Sequence, residues 1–122
     1  MKKLLAIIVL GWMFSGGVAN SFMKYGEFKE LINSKPNIAE EYIYGLSSGV
    51  RVYETFMKKY SSDNEHFYCI PEKLELTVGN SINIINNKAK EMKKKKPEES
   101  INDLAVPYLY MFGLQTTFPC EN

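Results

Sequence analysis

After residue 20 the apolar positions recur at helical intervals, and no stretch alternates convincingly with the period of two that marks a half-buried strand. A short helix fits YGEFKELINS, with Phe28, Leu31 and Ile32 on one side. The strongest pattern is NIAEEYIYGLSSGVRVYETFMKKY, which runs to about Tyr60. Asn37, after Pro36, is placed as its N-cap, and Glu40 three residues later completes a capping box. Its expected buried stripe is Ile38, Tyr42, Leu46, Val50, Tyr53 and Met57. A third helix follows Thr77, which caps VGNSINIINNKAKEMKKKK, with Val78, Ile82, Ile85, Ala89 and Met92 inward and Pro97 as the stop. The last helix lies in SINDLAVPYLYMFGLQTT, where Ser100 and Asp103 are placed as a capping pair. Pro107 removes a helical hydrogen bond, so this helix is either kinked there or starts there.

The first 19 residues read differently. Lys2 and Lys3 form a basic start, Leu4 to Phe14 an apolar core of 11 residues, and Ser15, Gly16, Gly17, Val18 and Ala19 a small-residue tail. That is the layout of a secretory signal, with cleavage expected between Ala19 and Asn20. The apolar core falls short of the roughly 18–20 residues needed to span a bilayer. Residues 20–122 are then one exported domain, with no membrane attachment after cleavage. Loss of Lys2 and Lys3 takes the 15 basic residues of the full chain to 13 against 14 acidic ones, a net charge near −1. Near-neutrality argues against a nucleic-acid partner.

Outside the cytoplasm two cysteines are expected to pair. Cys69 and Cys120 are the only two, and joining them closes a loop of about 50 residues, for which chain entropy gives about 4 kcal/mol at most. The expected fold is therefore all-α: a small single-domain bundle of four to five helices, stapled by one disulfide.

Catalytic chemistry finds little support in the remaining residues. His66 stands three positions from Cys69, yet a disulfide sulfur cannot serve as a thiolate nucleophile. One histidine without a free cysteine builds no zinc site, so neither a metal nor a cofactor is expected. The lysines from Lys93 to Lys96 suit the negative end of a helix dipole and a solvated face. Tyr108, Tyr110, Phe112 and Phe118 are read as core. Gly45 and Gly49, four apart, share a helix face and let a second backbone approach closely, either the final helix or another copy of the chain.

The order of motifs carries one further reading. YIYGLSSG, then CIP, then a threonine-capped helix, then KP followed by Glu98, then LQTTFPC resembles the Rap/Tai family of type VI secretion amidase-immunity proteins. The matching positions are Tyr42, Gly45 and Gly49, then Cys69, Ile70 and Pro71, then Phe118, Pro119 and Cys120. Asn80 stands where the family usually has glutamine, and Gly113 where it usually has alanine before leucine.

The resemblance implies a periplasmic homodimer that binds and inhibits a secreted peptidoglycan amidase. An inhibitor of a hydrolase presents something convex to a concave site. Ser61, Ser62, Asp63, Asn64, Glu65 and His66, a polar stretch whose exit is fixed by Cys69 and Pro71, are the expected contact. The alternative is a periplasmic stress or acid chaperone, a class that is also small, helical and disulfide-bonded.

Overall fold

The computed structural model describes residues 22–60 and 66–121 and places five helices among them. These are α1 (Tyr25–Ser34), α2 (Pro36–Tyr60), α3 (Val78–Lys93), α4 (Glu98–Asn102) and α5 (Val106–Thr117). The proposed signal segment lies outside the described residues. No helix among those described is long and apolar enough to cross a membrane. The all-α, disulfide-stapled domain is as expected; its details differ in instructive places.

Helix α1 starts where the Glu27 carboxylate reaches back to accept the Lys24 N–H at 3.0 Å, and it buries Tyr25 and Phe28. Only Lys35 separates it from α2. The Lys35 carbonyl accepts the N–H groups of Ile38 (3.1 Å) and Ala39 (3.2 Å), so Pro36, not Ile38, is the first helical residue. Asn37 is thus inside the first turn and is not the N-cap. Proline is favoured at that first position because its missing N–H has no helical partner to lose.

The buried face of α2 is also displaced from expectation. Ala39, Ile43 and Ser47 point into the core, while Ile38 and Tyr53 are exposed and Tyr42, Leu46 and Val50 lie on the flank. Beyond Val50 the helix continues for ten residues without one buried side chain.

Helix α3 is capped as expected, Thr77 Oγ1 accepting the Asn80 N–H at 3.1 Å. Ile85 and Ala89 are fully buried, joined by Ser81 and Ile84, which the apolar pattern alone did not mark. The helix ends at Lys93, whose ammonium holds the Glu98 carboxylate at 2.9 Å across the turn into α4. This hydrogen bond lowers the Glu98 pKa and raises that of Lys93. Ser100 lies within α4 and Asp103 follows its end, so they do not cap α5.

Ala105 opens α5, with Pro107 in its first turn; of the two readings of Pro107, the helix starts there and is not kinked. Helices α3 and α5 form the most extensive contact of the bundle, α1 packs on α2, and α4 bridges α1 and α3. Phe28, Ile43, Ile85, Ile101, Leu109, Tyr110 and Leu114 are its fully buried large side chains.

Two devices close the chain on itself. Near the start, Lys24 and Ala105 form an isolated antiparallel bridge, with Tyr25 N–H to the Leu104 carbonyl and Val106 N–H to the Met23 carbonyl, both 2.8 Å. Near the end, Cys69 and Cys120 are disulfide-bonded, and the Cys69 N–H donates to the Phe118 carbonyl at 2.8 Å.

Candidate functional site

The segment 66–77 has no helix of its own and is held by side chains. Tyr68, Ile70 and Leu76 are buried anchors, the disulfide fixes its start to the end of α5, and the Arg51 guanidinium from α2 donates to the Leu74 carbonyl. Arg51 also pairs with Glu54 one turn on, at 3.3 Å. Lys58 approaches Glu72 at 3.8 Å, so α2 and the segment are joined by charge as well as by packing. Between them lies a cleft of about 580 Å3, bordered by Glu54, Lys58, His66, Tyr68, Ile70 and Glu72. Burial, with a smaller push from the Glu54 carboxylate, raises the Tyr68 pKa, so its phenol stays protonated through the neutral range.

Of the expected contact residues, Ser61, Ser62, Asp63, Asn64 and Glu65 lie outside the described residues. His66 is half-buried at the mouth of this cleft. Among the described residues no group of three or more His, Cys, Asp or Glu is gathered to hold a metal.

Tyr68 also lines a second feature. A groove of about 450 Å3 runs between α2 and α5, its α2 wall formed by Gly45, Leu46, Gly49, Val50 and Tyr53 and its α5 wall by Pro107, Tyr110 and Met111. Gly45 and Gly49 do not pack against the final helix: among the described residues a Cβ on either would meet nothing within 4 Å. The open notch continues into exposed apolar residues. Val52 is 71%, Phe56 58% and Tyr60 66% exposed, and the rings of the last two lie 4.8 Å apart.

Gly45, Gly49, Val52, Phe56 and Tyr60 therefore make a single stripe, spaced by four, three, four and four residues. At 3.6 residues per turn it lies about 140° round the helix from Ala39, Ile43 and Ser47. The spacing is readable in the sequence, but the single inward face expected there falls between two apolar faces of α2, one buried and one exposed.

The four aromatic residues near the end of the chain also divide. Tyr110 is fully buried, and its hydroxyl meets that of Ser81 at 2.9 Å, satisfying both. Tyr108 is exposed, contrary to the core reading, and Phe112 and Phe118 are half-buried; Phe112 contacts Tyr108 at 4.3 Å and Phe67 at 5.4 Å between ring centres.

No protein-family model, curated protein or solved structure shows a match to this chain.

Proposed function

We propose that this chain is an immunity protein of the Rap/Tai type, exported to the periplasm, where it binds and inhibits a peptidoglycan amidase delivered by type VI secretion. The reading rests on the order of the motifs in the sequence. One structural observation supports it most: the disulfide and the buried Tyr68 and Ile70 fix the chain just after the 61–66 stretch. A contact segment anchored in this way loses little entropy when it docks. The inhibitor role requires no reactive group, and the two sulfurs near His66, those of Cys69 and Cys120, are joined in one disulfide.

The test is direct. Purified chain from residue 20 is mixed with a small peptidoglycan amidase of the Cys–His type, and muropeptide release is followed. Stoichiometric inhibition at neutral pH supports the reading; undiminished hydrolysis with no complex on gel filtration rejects it.

The same reading includes a homodimer, and the stripe on α2 supplies a specific form of it. Antiparallel pairing of two α2 helices, centred between Val50 and Arg51, would seat Phe56 on Gly45 of the second copy and Val52 on its Gly49. Glu41 and Lys59 lie on one flank of that stripe and would meet across the pair with opposite charge. Sedimentation at micromolar concentration separates this species from a monomer of about 12 kDa, at roughly 0.11 kDa per residue.

The chaperone reading has one observation in its favour, since exposed Val52, Phe56 and Tyr60 resemble a surface for unfolded clients. Suppression of aggregation of several unrelated proteins at acid pH, without amidase binding, would favour it.

A further inference from the structure

Helix α3 carries asparagine at positions 80, 83, 86 and 87, a residue that disfavours helix interiors by competing for backbone hydrogen bonds. Asn86 is accounted for: its Oδ1 accepts the Tyr25 hydroxyl at 3.0 Å. The side chains of Asn80, Asn83 and Asn87 are exposed and have no hydrogen-bond partner among the described residues; at Asn80 the bond to Thr77 Oγ1 comes from the backbone N–H. Spaced by three and four, they share one face of α3. That face borders a groove of about 280 Å3 whose other walls are Leu74 and Leu76 of the pinned segment and Thr117 and Phe118 at the end of α5.

We propose that this groove binds a neutral sugar ring, with an N-acetylated amino sugar as its best chemical match. Each asparagine amide offers both a donor and an acceptor, which is what a ring of hydroxyls or an acetamide requires. Leucine, isoleucine and phenylalanine side chains provide apolar surface for the C–H face of a pyranose and for the acetamide methyl. Among the described residues no ionisable side chain lines the groove, so they supply no charge that would select a phosphate or carboxylate. Its volume admits about one ring and not an extended peptide.

The walls come from three parts of the chain, and the Cys69–Cys120 disulfide with the Cys69–Phe118 hydrogen bond fixes two of them together, so the groove is formed before the ligand arrives. The proposal is independent of the inhibitor reading, because it uses neither the 61–66 stretch nor the stripe on α2.

The experiment is an NMR titration of the oxidised chain from residue 20 with N-acetylglucosamine and its β-1,4-linked trimer, with an alanyl-glycine dipeptide as the amide control. Saturable shifts confined to the side-chain amides of Asn80, Asn83 and Asn87 and to Phe118 are expected, with the dipeptide leaving them unmoved. The double variant N83A/N87A keeps its fold, since alanine is the better helix former. It should bind about tenfold more weakly or less, having lost two hydrogen-bonding amides. Absence of saturable shifts with either sugar, equal response to the dipeptide, or unchanged affinity in the folded double variant overturns the proposal.

Discussion

At the α3/α5 contact a Cβ on Gly113 would come within 2.6 Å of Ile84 Cγ2 and 3.0 Å of the Ile84 carbonyl oxygen, whereas a Cβ on Gly45 or Gly49 would meet nothing within 4 Å. Each glycine interrupts a helix at the same intrinsic cost of about 1 kcal/mol relative to alanine. At Gly113 the cost is recovered inside the molecule, because only a residue without a side chain lets α5 lie against the backbone of α3. At Gly45 and Gly49 nothing among the described residues recovers it. The difference separates a glycine that a close helix contact requires from glycines without such a contact among the described residues, and it is the physical ground for looking to the α2 stripe for a partner.

The largest effect is expected from the staple that holds the end of α5. Replacing Cys69 and Cys120 together with alanine should lower unfolding free energy by about 4 kcal/mol or somewhat less, read from urea melts of oxidised wild type and variant. A loss under about 1 kcal/mol would show that α3/α5 packing alone holds that end.

Next is Gly113→Val, which forces two methyl groups against Ile84. Overpacking of this kind should cost about 3 kcal/mol, with a parallel fall in melting temperature. A variant as stable as wild type would mean that the close approach is not rigid.

Gly49→Ala should have the opposite sign. At concentrations where the chain is monomeric it should gain up to about 1 kcal/mol, because the Cβ enters open space and the helix propensity improves. If α2 pairs with a second α2, the same change should weaken association measured by sedimentation. Stabilisation with unaltered association would remove the notch from the dimer contact.

A final and more gradual effect concerns pH. Burial is the first cause of the raised pKa of Tyr25, Tyr42, Tyr68 and Tyr110 relative to the ordinary value of 10.0, and none of these rings belongs to the exposed stripe. A folded pKa above the unfolded one means that the unfolded chain releases its protons first. The stabilisation is therefore complete below about pH 10 and is lost as pH rises above it. Circular dichroism melts between neutrality and strong alkali should show stability falling only in that upper range. Tyr68→Phe should reduce the steepness.

The elements themselves were legible wherever a local signal acts alone. Thr77 has the right chemistry to cap a helix whatever surrounds it, and two cysteines leave one pairing. Phase was not legible in α2. Ile38, Tyr42, Leu46, Val50, Tyr53 and Met57 average to a direction midway between its two apolar faces, because a helix with one stripe for its core and another on its surface presents apolar residues over more than half its circumference. The α2–α5 groove and the groove beside the asparagines of α3 were hidden for a different reason. Both are built from residues far apart in sequence, and only packing shows which side chains are left without a neighbour.

The bridge between Lys24 and Ala105 bears on when the molecule can become itself. Residues 23–25 and 104–106 are joined by backbone hydrogen bonds over a sequence span of 81 positions, and the core they close is completed by the final helix. Helices α1 and α2 can form early, but α1 has no permanent neighbour on its far side until α4 and α5 arrive. Contacts of such high sequence separation slow folding, because the whole intervening loop must be ordered before they contribute. A chain emerging from its N-terminus at about 5–20 residues per second thus spends several seconds with its first helix in place and its last not yet made. Any truncation before Val106 leaves a fold that cannot be closed.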